Sequence, residues 1–259
     1  MKYTNKENYP SYVMAWLKDD QYDYEEGVVS ATRLISPARQ YALYKKHYDE
    51  LEIDVSDLIA SKYGTAIHAA FEDLEIHNIE QETRLYVELE VEGEKYKISG
   101  KFDMLQDLGD GTKKLIDLKS TSVWSYIFDS KRDDYVKQLS IYKFLANKNG
   151  YNVVNYADIC MIFTDWSGTR ARTNANYPKT RIAIKPIELW DDTKTEEYII
   201  GRLKEFKQAV EKELPRCTTQ ELWENKGKYK RCGYCMARKF CSQCRELIDQ
   251  GYVEESIIV

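Results

Sequence analysis

The segment Leu108-Gly109-Asp110-Gly111-Thr112, set between the alternating stretches KISGKFDML and KKLIDLKSTS, constrains the fold of this chain more than any other. Two glycines around an acid supply the backbone angles of a tight hairpin, so the flanking stretches predict two antiparallel strands. Side chains alternate along a strand, so Leu115, Asp117 and Lys119 share one face while Ile116 and Leu118 share the other. On the preceding strand Ser99, Lys101 and Asp103 share a face. A two-residue loop at Asp110-Gly111 would set Met104 against Asp117 and turn Asp103 away, whereas a three-residue loop of Gly109, Asp110 and Gly111 sets Asp103 directly across from Asp117. We take the second register. Opposed like charges cost roughly 0.2–1 kcal/mol when nothing compensates them, and a cation bound between them would compensate. Taken alone, the D-x-K pair of Asp117 and Lys119 reads as a solvated strand face; the rest of the chain changes its weight.

At 259 residues the chain is long enough for a large core, and 43% hydrophobic with 31% charged residues describes an ordinary globular protein. Its apolar runs are too short to span a bilayer, and MKYTNKENYPSYV lacks the apolar segment of a signal peptide, so the expectation is no membrane and a cytoplasmic location, host cytoplasm for a viral source. A formal net charge of −5 argues against holding nucleic acid by bulk electrostatics. Local basic groups remain at Lys113 and Lys114, Lys131 and Arg132, Arg170 and Arg172, and Lys228 to Arg231, each ordinarily a solvated surface. The 21 tyrosines offer stacking faces, though most such residues pack.

Five of the six cysteines, Cys217, Cys232, Cys235, Cys241 and Cys244, fall in a short C-terminal stretch, and Cys160 stands apart in an apolar strand. Without a secretion signal such clustering reads as metal ligation before disulfides.

Along the chain, the polar, tyrosine-rich segment through Asp23 predicts no element. Helices are expected over 30–48, with Leu34, Ala38, Ala42 and Leu43 as the apolar side, and over 56–77, capped by Ser56 or Asp54, with Ile59, Tyr63, Ile67, Ala70 and Leu74 as a buried stripe. Strands follow over 83–91, 95–105 and 114–119. Next come a helix over 133–148 opened by acids and closed near Gly150, a strand over 156–164, an ill-defined loop with Arg170 and Arg172, a strand over 181–187, and a helix over 193–213. The expected architecture is α/β, one domain over 1–215 with a cysteine-rich metal-binding knob over 216–259.

His68 lies in GTAIHAAFE, four residues after Gly64 and four before Glu72, so the three share one line on the helix. Gly64 in a helix interior costs about 1 kcal/mol relative to alanine, which predicts a close approach there. Gln138 and Tyr142, in QLSIY, are likewise four apart and project together. In isolation each pair is an ordinary helical feature.

In order, Gly64 to His68, Gly100 to Asp103, Asp117 to Lys119 and Gln138 to Tyr142 reproduce G-x-x-x-H, G-x-x-D, D-x-K and Q-x-x-x-Y. The run, about the central third of the chain, resembles the RecB-like branch of the PD-(D/E)xK nuclease superfamily. That resemblance implies a restriction-endonuclease-like core, a central mixed sheet flanked by helices, and metal-dependent hydrolysis of DNA, most simply as an exonuclease in recombination, repair or processing. It implies Mg2+ or Mn2+ on His68, Asp103, Asp117 and the backbone carbonyl of Leu118, hard-ion ligands for the most part. It gives Lys119 the role of orienting water or offsetting negative charge, and Gln138 and Tyr142 that of positioning the strand.

Members with an iron–sulfur cluster, including the AddB subunit and CRISPR-associated nucleases, end in C-x2-C-x5-C, which Cys232, Cys235 and Cys241 reproduce. Their remaining ligand comes from a C-P-R type segment, where this chain has Ser36-Pro37-Ala38-Arg39. Cys244 or Cys217 can substitute, and thiolate spacing alone does not separate a 4Fe-4S cluster from Zn2+. No phosphate-binding G-x-x-x-x-G-K-[ST] loop occurs, so the chain acts on free ends or relies on a separate helicase or recombination protein, as in phage or mobile-element versions. The alternative from another class is a non-catalytic nucleic-acid-binding or assembly protein on the same fold.

Overall fold

The computed structural model of the chain describes residues 1–19, 25–211 and 214–254. Asp23, the helix end expected at Glu213, and residues 255–259 lie outside them.

Strand β1 (Lys2–Thr4) and helix α1 (Ser11–Lys18), which starts just after Pro10, occupy the N-terminal segment for which the sequence predicted no element. After β2 (Val28–Ser30), the single helix expected over 30–48 is two, α2 (Ala31–Leu34) and α3 (Ala38–His47). Pro37 divides them, because it lacks an N–H and disfavours helical angles at the residue before it. Strand β3 (Glu52–Asp54) ends at the residue whose Oδ1 accepts the Ser56 N–H at 3.1 Å, starting a 3-10 turn over Val55–Leu58 that feeds α4 (Ile59–Glu72).

Two expectations for α4 fail. The helix stops at Glu72 and not at 77, since Glu72, Asp73 and Glu75 put negative charge at the end of the helix where the macrodipole is already negative. Its apolar stripe is not buried either: Tyr63 and Leu74 are about half exposed, and the covered line is Gly64, Ile67, His68 and Phe71. The polar line of His68 is turned inward because His68 has acidic partners there.

Strands β4 (Ile79–Gln81), β5 (Arg84–Val91), β6 (Glu94–Lys101) and β7 (Met104–Asp107) follow. The strand expected over 95–105 is therefore broken at Phe102-Asp103, where the chain leaves one sheet for another. Neither residue is in a ladder, and their backbones bond instead to the turn before β5, Phe102 N–H donating to the Thr83 carbonyl and the Asp103 carbonyl accepting from Glu82 N–H. Then come β8 (Lys113–Thr121), α5 (Val123–Phe128), α6 (Arg132–Lys148), β9 (Val153–Phe163), α7 (Gly168–Thr173), β10 (Ile182–Glu188) and α8 (Asp192–Glu211). Helices α5 and α7 were not expected; they are short and start at the caps Ser122 and Ser167. The C-terminal stretch holds β11 (Glu224–Asn225), β12 (Lys228–Tyr229) and α9 (Ser242–Asp249).

The chain divides into two compact units. One, residues 26–35 and 63–201, contains a five-stranded mixed sheet in the order β10-β9-β8-β7-β4 and a three-stranded sheet in the order β2-β6-β5. Strands β8 and β9 run parallel, joined through α5 and α6, while β7–β8 and β9–β10 are antiparallel. Leu115, Leu118, Ile159 and Met161 of the sheet and Leu139, Ile141, Phe144 and Leu145 of α6 are almost fully buried. Against β6 the helix comes so close that a Cβ on Gly100 would stand 2.7 Å from Leu145 Cδ1 and 2.8 Å from Tyr142 Cδ1. Gly100 is there because nothing larger fits.

The other unit, residues 1–25, 36–62 and 202–259, pairs β1 with β3 in parallel and contains the cysteine-bearing stretch, with Leu43, Leu51 and Ala237 forming one buried cluster. Among the described residues, no helix is long and apolar enough to cross a membrane.

Candidate active site

Strand register brings the first two acids together. Met104 pairs with Ile116 and Leu105 with Leu115, and Leu108 N–H donates to the Thr112 carbonyl at 3.0 Å, closing a three-residue loop. Gly109 (φ +83°) and Gly111 (φ +84°) supply its positive angles, as the sequence required. One further step of the register sets Asp103 opposite Asp117. Freed from the ladder, Asp103 turns its carboxylate to accept the Leu118 N–H at 2.6 Å. The Leu118 N–H is thereby committed to Asp103.

His68 reaches this carboxylate from α4, with Nδ1 3.6 Å from Asp103 Oδ1 and 3.3 Å from Glu82 Oε1. Glu82 is the residue the sequence did not single out. It sits between β4 and β5 at φ +48°, a conformation costly for a non-glycine residue, and its other oxygen is 2.6 Å from Lys101 Nζ. Among the described residues, His68, Glu82 and Asp103 are the set whose ligand atoms all lie within 4.8 Å of one another. No periodicity marks Glu82; the only sequence signal is an acid directly before an expected strand.

Electrostatics agree with a cation-shaped site. Burial, and then the charge of Asp117, push the Asp103 carboxyl up to about 7. The hydrogen bond that His68 donates to Glu82 raises it above the ordinary histidine range, against the effect of burial. Burial opposes charge on Glu82, but the hydrogen bonds of His68 and Lys101 hold its carboxyl below the usual range. Asp117 is 2% exposed and its Oδ2 lies 2.6 Å from Lys119 Nζ. Burial alone would depress the Lys119 ammonium; Asp117 and then Asp103 hold it above an ordinary lysine. Crowded buried carboxylates beside an imidazole are a donor set that suits a hard divalent ion.

On α6, Gln138 Nε2 donates to the Tyr142 hydroxyl at 2.8 Å, so the expected pairing across one helical turn is present. Burial raises the Tyr142 phenol, with Lys119 as its next-strongest electrostatic neighbour. Tyr135, on the same side of α6, is pushed by burial up to about 12 and also feels Lys119 and Asp117.

In the other unit, Cys217, Cys232, Cys235, Cys241 and Cys244 line one small cavity, whose wall includes Pro37 and Arg39 of the Ser-Pro-Ala-Arg segment. Arg39 is buried, donating from Nε to Cys241 Sγ at 3.1 Å and from its terminal nitrogens to the carbonyls of Leu214 and Pro215 and to Ser242 Oγ. A hydrogen bond between Cys232 and Cys244 pushes the first thiol up and lowers the second to about 7. Burial raises Cys217 to about 12 and Cys235 to about 11. Among the described residues, no three of these sulfurs lie within 4.8 Å of one another. Cys160 lies on β9 and is not part of this cavity's lining.

Residues 74–242 match the family model described as "PD-(D/E)XK nuclease superfamily". Among solved structures, the chain is similar to one described as "Crystal structure of SSO0001", at 21% identity over 89% of this chain and 94% of that one, with a TM-score of 0.58. That likeness shows the fold alone. A phage related exonuclease from Haemophilus somnus 129PT matches at 14% identity over 77% of this chain and 81% of that one, with a TM-score of 0.31, too loose a superposition to argue from. No curated protein matches the chain.

Proposed function

Since the chain belongs to the PD-(D/E)XK nuclease superfamily, we propose that it hydrolyses phosphodiester bonds in DNA with Mg2+ or Mn2+ held by His68, Glu82, Asp103 and Asp117, with the carbonyl of Leu118. The convergence of His68, Glu82 and Asp103 on one point, with Asp117 charging it further, carries the proposal. When bound, such a cation supplies Lewis acidity to a phosphoryl oxygen and lowers the pKa of water. Lys119, kept charged by Asp117 and Asp103, places a positive charge beside the phosphate and offsets the charge that develops on it. The Gln138–Tyr142 pair, locked together and held against Gly100, presents polar groups that orient the nucleic-acid backbone. Four RecB-like motifs in order support that branch, and with it exonuclease action in recombination, repair or processing, with any helicase supplied by another chain.

For the thiols, the shared cavity supports one metal centre, a 4Fe-4S cluster or Zn2+, on Cys232, Cys235 and Cys241 with Cys244 or Cys217. Visible absorbance with bound iron assigns the cluster, a colourless protein holding zinc assigns Zn2+, and a folded protein holding neither contradicts a metal centre.

The test of the nuclease reading is cleavage of linear and circular DNA with Mg2+, Mn2+ or EDTA. Cleavage of linear DNA that stops in EDTA and in folded Asp117→Ala is expected. Activity insensitive to chelator, or retained in Asp117→Ala, contradicts the assignment, and no cleavage of any substrate favours a binding protein.

A further inference from the structure

Two exposed aromatic rings stand just beyond the D-x-K strand. Trp124 (41% exposed) and Phe128 (38% exposed), on α5, are stacked with centroids 5.8 Å apart and planes 19° from parallel. Apolar rings of this size ordinarily seek the core, and these two, stacked on each other, both stay partly exposed. The loop between β9 and β10 frames them. Arg170 lies over the Trp124 ring at 5.7 Å, Tyr177 meets Trp124 edge-on, and Arg181 lies over Trp166 at 5.2 Å.

The frame is braced. Asp165 accepts from Ser122 Oγ and Val123 N–H, both at 2.7 Å, tying the end of β9 to the start of α5. Trp166 Nε1 donates to the Pro178 carbonyl, and Lys179 Nζ to the Ala171 carbonyl. Surface ordered before binding loses less entropy on binding.

Charge supplies the other half. Although the chain carries −5 overall, the stretch from Asp165 to Lys185 has Arg170, Arg172, Lys179, Arg181 and Lys185 against the single acid Asp165. Lys185 pairs with Asp129 and Lys179 serves the loop, which leaves Arg170, Arg172 and Arg181 exposed on the surface. Trp124 lies five positions after Lys119, a reach of at most about 18 Å of extended chain. Paired bases hide their faces in the duplex stack, so a partly exposed aromatic pair beside arginines suits unpaired nucleotides, whose bases can extend the stack.

We propose that Trp124 and Phe128, with Arg170, Arg172 and Arg181, form a stacking platform for single-stranded DNA leading to or from the site of Asp117 and Lys119. The proposal rests on the nuclease reading and gives that site a single-strand preference.

The experiment is fluorescence anisotropy of a fluorescein-labelled oligo-dT and of a duplex of equal length, titrated with the full chain in EDTA so that no cleavage intervenes. The wild type should bind the single strand more tightly than the duplex. Trp124→Ala and Phe128→Ala should each weaken single-strand binding by roughly five- to a hundredfold, Trp124→Phe should restore most of it, and Arg170→Gln should lower the salt slope by about 0.7. Circular dichroism identifies any variant that does not fold, and Phe128→Ala and Trp124→Phe keep the test open should Trp124→Ala fail. Equal affinity for duplex and single strand, or folded alanine variants that bind like wild type, overturns the platform. Cleavage by the wild type is scored separately, so a platform that fails beside an active nuclease is distinct from a nuclease reading that fails.

Discussion

Replacing Gly100 by alanine adds one methyl group to a place with no room for it. Its Cβ would lie 2.7 Å from Leu145 Cδ1, and 2.8 and 2.9 Å from Tyr142 Cδ1 and Cε1. Carbon atoms rest at about 3.5–4.0 Å, so these side chains must retreat by roughly 0.6–1.3 Å. Neither is a free end: Leu145 is fully buried and Tyr142 is 7% exposed and bound to Gln138. Overpacking of this kind costs about 1–3 kcal/mol. In a chain of this size that is a fall in melting temperature of roughly 2–10 °C. Because the displaced ring belongs to the Gln138–Tyr142 pair, the cleavage rate should fall further than stability does, by up to about a hundredfold for a misplacement near 1 Å. Thermal melting followed by circular dichroism, with single-turnover cleavage at a temperature where both proteins are folded, reads the two effects. A variant that melts and cleaves like wild type refutes the packing argument for this glycine.

Gly64→Ala is expected to do the opposite. Its Cβ would meet only Ser120 Oγ at 3.9 Å, so the helix should gain about 0.5–1 kcal/mol, read as a raised melting temperature. Glu82→Gln should weaken Mn2+ binding by about 10- to 100-fold, because it removes a charge that holds His68 and Lys101, and isothermal titration measures it. Asp54→Ala should cost about 1 kcal/mol at neutral pH by removing the acceptor for Ser56, Thr4 and Lys6. Burial works against the Asp54 charge, yet those hydrogen bonds hold its carboxyl below the ordinary range. Its contribution is therefore complete above the unfolded pKa of about 3.9 and lost as pH falls below it, so the melting temperatures of wild type and variant should converge in acid. Arg39→Lys should lose much of what Arg39 supplies, since one ammonium cannot serve Cys241, Leu214, Pro215 and Ser242 at once; visible absorbance and metal content check it.

The hairpin was legible because glycine marks positive backbone angles and strand alternation fixes which residues oppose each other, so Asp103 and Asp117 followed from the loop length. Gln138 and Tyr142 were legible because four residues make one helical turn. Burial of α4 was not, since spacing defines a stripe without saying which side is covered, and here polar contacts to Glu82 and Asp103 turned the His68 line inward. Pro37 carried a readable helix break that the apolar pattern over 30–48 obscured. The break at Phe102-Asp103 depends on Asp103 turning to the Leu118 N–H, a contact between strands that no local pattern encodes. Glu82 was missed for the same reason, its role coming from His68 and Lys101 elsewhere in the chain. Nothing in the sequence pattern singled out Trp124 and Phe128, which the structure leaves partly exposed.

The central claim is that one divalent ion binds where His68, Glu82, Asp103 and Asp117 meet. An anomalous difference map from crystals soaked in Mn2+ tests it most directly. A peak within coordination distance of His68 and Asp103, absent from Asp103→Asn crystals treated identically, is the predicted result. A map with no peak among these side chains, from a protein that still cleaves DNA with Mn2+, contradicts it.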